Sequence, residues 1–196
     1  MLSASHVRPL WDRVVERDSR LEKIQTAKQF LYLSTFYIEY DRFGMTALAA
    51  LLRAQRRGVE VNLLIDGFGQ MLGNVVMSQQ DRQALAAELR ELQAAGAIVT
   101  IYRPTNFIQR RLGGGQHVKL QVSEAGEAIF GSSNLTRSSF EGWNEFSVAL
   151  RGSVVTALLQ SYRQIGGTVR ADHLRQLEDA AQSTVAKPVS YTHLTL

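Results

Sequence analysis

Residues 30–65, FLYLSTFYIEYDRFGMTALAALLRAQRRGVEVNLLI, decide the fold class. Phe30 to Ile38 is dense in aromatic and apolar side chains and reads as a buried strand, and Glu39 to Gly44 is a polar break. Met45 to Arg57 has the spacing of a helix stopped by Gly58, and Val59 to Ile65 is β-branched and apolar enough for a second strand. Strand, helix and strand in that order imply a parallel pair joined by a right-handed crossover. The rhythm continues with a helix over Asp81 to Ala95, stopped by Gly96, and a third strand over Ala97 to Tyr102. An α/β chain follows, with a mixed, mostly parallel sheet flanked by helices.

Upstream, His6 to Lys28 spaces Leu10, Trp11, Val14, Val15, Leu21 and Ile24 among charges, which predicts an amphipathic helix. Downstream, Arg103-Pro104 and the run Gly113-Gly114-Gly115 lead into HVKLQV and EAIF, two strands around Ser123-Glu124-Ala125-Gly126 that read as a β-hairpin. Phe146 to Leu150 is a further strand, Val154 to Ile165 a helix, and His173 to Gln182 a last helix. Residues 1–187 are expected to form a single domain. Pro188 to Leu196 (PVSYTHLTL) fits no element; it reads as an artificial or read-through tail, with the natural chain continuing past about Lys187.

Bulk properties narrow the chemistry. The 196 residues are 45% hydrophobic and 20% charged, enough for a real core. No apolar run is long enough to span a bilayer. The absence of cysteine excludes disulfides, thiol nucleophiles and Cys-based zinc clusters. A net charge of +4 suits a polyanion or an anionic membrane surface.

The chemistry gathers around residue 117. The chain has 4 histidines, and its lysines are Lys23, Lys28, Lys119 and Lys187, so His117-Val118-Lys119 joins two scarce residues. Alternate positions on a strand share a face, so His117, Lys119 and Gln121 are expected to point one way and Val118, Leu120 and Val122 into the core. Past the return strand, Gly131-Ser132-Ser133-Asn134 offers close backbone approach and neutral donors. Taken singly, a His-x-Lys pair is ordinarily surface decoration and Gly-Ser-Ser-Asn a turn. The hairpin brings them together, and an imidazole, an ammonium and neutral donors converging on one point make a pocket for a phosphate oxyanion, with no metal or cofactor required.

His117-x-Lys119, four residues, Glu124, six residues, then Gly131-Ser132-Ser133-Asn134 resembles the His-x-Lys motif of the phospholipase D superfamily, whose usual form has Asp at the place of Glu124. That carboxylate is generally structural in the family. Phe36-Tyr37, Asp41, Gly44, Arg56-Arg57-Gly58-Val59 and Leu64-Ile65-Asp66 look like the first strand-helix-strand unit of cardiolipin synthases and related phosphatidyltransferases. Asn144-Glu145 looks like the family's glutamate that orients the catalytic imidazole.

The resemblance implies an α/β/α sandwich forming one half of a two-motif enzyme of phospholipid metabolism. In such an enzyme a histidine attacks phosphorus and a second histidine serves as acid and base. By that resemblance His117 is the nucleophile, Lys119 and Asn134 neutralise non-bridging oxygens, Glu145 holds the ring, and Ser132, Ser133 and Gln121 touch substrate, with Glu124 and Gly131 structural. Neither His6 nor His173 heads a second motif, and His193 lies in the suspect tail. The second histidine is therefore expected from a missing half of the chain or from the partner in a homodimer. A phospholipid substrate, bacterial origin and peripheral attachment to the cytoplasmic side of the inner membrane are the corresponding expectations. Phe68, Met71, Leu72, Phe107, Ile108 and Leu112, read as lying in loops near the site, would offer an apolar approach, and Arg110 and Arg111 cations for head groups. The alternatives are a single-motif homodimeric phosphodiesterase acting on nucleic acid, or an inactive phosphate-binding half-domain.

Overall fold

The computed structural model describes residues 6–104, 106 and 115–185. A seven-stranded sheet forms the middle layer, built from β1 (His6–Leu10), β2 (Phe30–Thr35), β3 (Glu60–Asp66), β4 (Ile98–Tyr102), β5 (Lys119–Ser123), β6 (Glu127–Gly131) and β7 (Ser147–Arg151) in the order β1-β7-β6-β5-β2-β3-β4. The sheet is mixed. The β2–β3 and β3–β4 ladders are parallel, as the crossover logic required, and every other neighbouring pair is antiparallel. Most strands share one direction; only β5 and β7 run against it.

On one face pack α1 (Arg13–Thr26), α2 (Arg42–Arg56) and α4 (Gln79–Ala94), burying Ile24, Leu48, Leu51, Leu85 and Leu92 against Leu31, Leu33, Val61, Leu63 and Ile65. On the other lie α5 (Ser153–Gln164) and α6 (Ala171–Val185), where Val155, Leu159, Tyr162 and Leu177 meet Phe30, Tyr32, Leu64, Leu120 and Val122. Because the central strands are covered on both faces, they read as continuous apolar runs rather than as alternating ones. The helices start where short polar side chains accept from free amides: Asp12 caps α1, Asp41 caps α2, Asp66 caps α3 (Gly67–Val76), and Ser78 with Asp81 closes a capping box on α4.

Two expectations change. The start of the helix expected over 6–28 is instead strand β1, paired antiparallel with β7 from His6↔Arg151 to Leu10↔Ser147. Pro9 accounts for this, since proline breaks a helix interior but is tolerated on a sheet edge. Phe68, Met71 and Leu72, expected in loops, lie on α3. Its glycines hide the helix from a propensity reading, yet they let it pack tightly: a Cβ on Gly69 would fall 2.2 Å from the Phe36 carbonyl oxygen, and one on Gly73 would fall 2.7 Å from the Tyr37 ring. Phe107, Ile108, Arg110, Arg111, Leu112 and the 188–196 tail lie outside the described residues.

Candidate active site

The site forms where β2 and β3 end and β5 begins, the crevice at the carboxyl ends of parallel strands. The β5–β6 register sets Lys119 opposite Gly131, so the Ser132–Asn134 segment emerges beside the His117–Lys119 segment. At Gly131 the neighbouring strand leaves no room for a side chain, because a Cβ would sit 2.1 Å from Ser147 Oγ.

His117, just before β5, is exposed at the mouth, whereas Lys119 is 1% exposed. Lys119 Nζ lies 2.9 Å from His117 Nδ1, 2.8 Å from Nε2 and 3.1 Å from the His117 carbonyl oxygen. The Phe36 ring makes an edge contact with the imidazole at 4.5 Å and lies 5.1 Å from the ammonium. An ammonium in this position donates to an imidazole nitrogen that carries no proton. Accordingly the His117 imidazole is held below its usual range, by desolvation first and by the Lys119 charge second, with Asp66 and Glu145 opposing. Burial likewise brings the Lys119 amine down to about 8 against the fields of Glu145 and Asp66.

Asn134 is oriented by donors. Phe36 N and Thr35 Oγ1 both donate to its Oδ1, at 3.2 and 3.3 Å, so the amide NH₂ is the end left for the cleft. Its backbone N–H donates to Ser139 Oγ, which in turn donates to Glu145 Oε1, both at 3.0 Å. Ser132 is fastened to Phe146, its N–H donating to the Phe146 carbonyl and its Oγ accepting from Phe146 N.

His117, Lys119, Ser132, Asn134 and Glu145 line one open cleft of about 720 Å³, together with Phe36, Tyr37, Glu39, Leu72, Gly73, Val76, Arg137, Ser138 and Trp143. Three expected roles change. Gln121 shares the face of Lys119, but α1 covers it there and its Nε2 donates to the Arg20 carbonyl at 2.9 Å, so it does not line the cleft. Ser133 turns inward, its Oγ donating to Glu16 Oε2 at 3.0 Å, and it too is absent from the lining. Glu145 lines the cleft but accepts from Ser139 and acts on His117 through its field; no direct hydrogen bond joins the two among the described residues. Glu124 sits at the hairpin turn, about 14 Å of strand from the site, accepting from Lys28 N at 2.7 Å and holding the turn to the start of β2. The longer carboxylate is thus remote from the cleft.

The sequence reading gave no site role to Asp66 or Gln116. Asp66 is fully buried and accepts from Gly69 N and Gln116 N, both at 2.7 Å, so it fixes the backbone just before His117. Gln116 Oε1 accepts from Val118 N at 2.9 Å, and Ser34 Oγ donates to the Val118 carbonyl at 2.8 Å, buckling the chain into β5. The signal available for Asp66 was its place at the end of a parallel strand, immediately before Gly67. Neither remaining described histidine is in the cleft: His6 lies on edge strand β1, and His173 is stacked on Phe30 with its Nδ1 2.7 Å from Tyr32 Oη.

Residues 21–165 match the family described as cardiolipin synthase, PLD-like domain. Cardiolipin synthase B of Salmonella typhi is 29% identical over 152 residues, which are 71% of this chain and 33% of that protein, so the chain spans about a third of the length of such relatives. Among solved structures, the phospholipase D family member Nuc of Salmonella typhimurium superposes with a TM-score of 0.62 at 19% identity, over 84% of this chain and 97% of Nuc. The phosphatidylserine synthase of Haemophilus influenzae Rd KW20 superposes with a TM-score of 0.65 at 14% identity, over 95% of this chain and 46% of that one.

Proposed function

The chain belongs to the cardiolipin synthase, phospholipase D-like family, and from that membership and the geometry of its cleft we propose that it carries one half of a phosphatidyl-transfer site acting on membrane phospholipids. A ring nitrogen of His117 attacks phosphorus and the leaving alcohol departs, giving a phosphohistidine; an acceptor alcohol or water then takes the phosphatidyl group. Lys119 and the Asn134 amide hold the non-bridging oxygens, Ser132 stands beside them, and Glu145 with Asp66 keeps the local field negative enough to favour a charged Lys119.

The observation that carries the reading is the joint convergence of His117, Lys119 and Asn134 on a cleft whose other walls include Phe36, Leu72, Val76 and Trp143. Apolar walls suit a lipid. Among the described residues the cleft carries two cationic side chains, Lys119 and Arg137, whereas a groove that tracks a nucleic-acid backbone needs a stripe of them. The proton donor for the leaving alcohol is a second histidine from outside this chain's cleft, supplied by another half-site of a longer protein or by a second copy. No helix among the described residues is long and apolar enough to cross a membrane. Peripheral attachment at the cytoplasmic face of a bacterial inner membrane is inferred from the likeness to cardiolipin synthases.

A second reading is a single-motif phosphodiesterase completed by a second copy of the chain, since the cleft holds one His-x-Lys pair and neither His6 nor His173 enters it. One assay separates them. The full-length protein is given phosphatidylglycerol in mixed micelles and, in parallel, duplex DNA over a salt series, and a denaturing alkaline quench, which spares the acid-labile phosphorus–nitrogen bond, is followed by mass spectrometry to seek the adduct on His117. Lipid turnover abolished by His117→Ala is expected. DNA cleavage with steep salt dependence and no lipid turnover would overturn the phospholipid reading.

A further inference from the structure

The cleft holds a second cation that the chemistry at His117 does not use. Arg137 lines it beside Tyr37, Glu39, Ser138 and Trp143. The guanidinium enters no ion pair among the described residues, although other arginines on the surface pair with acids, as Arg42 does with Glu141 and Arg56 with Glu91.

Its backbone is fixed from several directions. Arg137 N donates to Asp41 Oδ2, while the other oxygen of Asp41 caps α2 through Phe43 N and Gly44 N at 2.8 and 2.9 Å. Two residues earlier Leu135 bridges to Ile38, and Asn134 accepts from Phe36 N. The segments 36–41 and 134–137 are therefore one wall, presenting the Asn134 amide and the Arg137 backbone at fixed points along it, with the exposed Arg137 side chain rising from the second.

The hydrogen bond from Arg137 N to Asp41 sets Arg137 beside the 39–41 stretch of this wall, three residues past Asn134, and Glu39 and Arg137 both line the cleft. The Glu39 carboxyl is raised by burial and by Asp41, with Arg137 opposing. A cleft of about 720 Å³ has room for a second polar head group beside the one under attack.

We propose that Arg137 seats the phosphate of the acceptor, a second glycerophospholipid whose alcohol carries its own phosphodiester anion, while Lys119 and Asn134 hold the phosphoryl group being transferred. This rests on the phosphatidyl-transfer reading above. In the transfer step the acceptor hydroxyl oxygen bonds to phosphorus as the bond from phosphorus to the His117 ring nitrogen breaks. The hydroxyl proton passes to the second histidine, and His117 is released neutral. Water attacking in the same place brings no second anion, so Arg137 has nothing to hold. The residue therefore sets the partition between transfer and hydrolysis without touching the reacting atoms.

The test uses the full-length protein in mixed micelles of phosphatidylglycerol, counting the lipid-transfer product and phosphatidic acid in the same tube. A charge-assisted contact of this kind is worth roughly ten- to hundredfold in binding. Arg137→Gln is expected to lower the ratio of transfer to hydrolysis by about that factor with hydrolysis unchanged, and Arg137→Lys to restore part of it. Because hydrolysis is measured in the same sample, it also reports that the variant is folded. An unchanged ratio, or equal loss of both products, overturns the acceptor seat and leaves the phospholipid reading standing. No turnover of phosphatidylglycerol by the unaltered protein overturns that reading and the seat with it.

Discussion

Replacing Glu16 by alanine removes a carboxylate that lies far from bulk water yet holds three elements together. Glu16 is 0% exposed on α1. Its Oε1 accepts from Arg20 Nε at 2.9 Å and Ser147 Oγ at 2.6 Å, and its Oε2 from Ser133 Oγ at 3.0 Å and from Arg13 Nη1. Truncation leaves Arg20, itself 5% exposed, without its counter-charge and leaves Ser147 without its acceptor. Breaking a buried ion pair from one side costs about 3–5 kcal/mol, and an orphaned buried hydroxyl adds about 1–3 kcal/mol. Water entering the vacated space offsets part of this, so a net loss of about 4 kcal/mol is expected. At about 2–4 °C per kcal/mol for a chain of this size, the melting temperature falls by about 8–16 °C. Thermal melts followed by circular dichroism measure it, with Glu22→Ala on the same helix as a control, since Glu22 is exposed and its loss is expected within about 0.5 kcal/mol. A Glu16→Ala melt indistinguishable from the Glu22→Ala melt would refute the claim that this carboxylate is the hub of the β7, α1 and Ser133 contacts.

Three further outcomes concern the cleft and the segment leading into it. Because desolvation and the Lys119 charge both hold His117 below its usual range, carbethoxylation of His117 should reach half its maximal rate below the ordinary imidazole value of about 6.5, and Lys119→Met should raise that midpoint; a midpoint at or above the ordinary value in the unaltered protein would contradict the contact. The Lys119 amine loses its proton near 8 when folded and near 10.5 when unfolded, so the unfolded chain binds more protons between those values; Lys119 should make stability rise with pH across that window, read as an upward change in the urea midpoint relative to Lys119→Met. Gly115→Ala would place a Cβ 2.6 and 2.7 Å from the two oxygens of Asp66, which already accept from Gly69 N and Gln116 N. The segment leading to His117 must then shift, and the expected result is a large fall in kcat with an unchanged circular dichroism spectrum; full activity would show that Asp66 does not position the nucleophile.

What could be read from the sequence was whatever depends on local pattern. The apolar runs at Phe30–Ile38 and Val59–Ile65 bracket a helix, and that alone led to the parallel β2–β3 ladder. The hairpin was legible because Gly126 punctuates two apolar strands, and with it the meeting of Lys119 and Gly131. What failed depends on what lies across from a side chain. Gln121 obeys the two-residue alternation from Lys119, yet α1 packs over that position and not over the mouth of the cleft, and periodicity is blind to the covering layer. Ser133 and Asn134 are neighbours with opposite fates, one turned to Glu16 and the other to the cleft, because partners at residues 16 and 36 decide their directions. Helix α3 was hidden by the very glycines that allow it to press on Phe36 and Tyr37.

The pairing of His117 with Lys119 explains why two acids stand near a site built for an anion. Desolvation first, and then an ammonium 2.8 Å from the imidazole, favour the neutral ring that a nitrogen nucleophile requires, and the same ammonium is in place to meet the negative oxygens of a phosphodiester. Burying it has a cost, since desolvation draws Lys119 toward the neutral form, in which it would serve neither purpose. Asp66 and Glu145 oppose that drift through their fields while their own oxygens are occupied, Asp66 by Gly69 and Gln116 and Glu145 by Ser139. Neither carboxylate forms an ion pair with Lys119 among the described residues; its hydrogen bonds go to the His117 ring and carbonyl, and the N–H they leave over is available to the substrate. Removing Glu145 should therefore act first on the charge of Lys119, and through it on the affinity for anionic substrate, whereas removing Asp66 also strips the cap of α3 and the acceptor that fixes the backbone before His117.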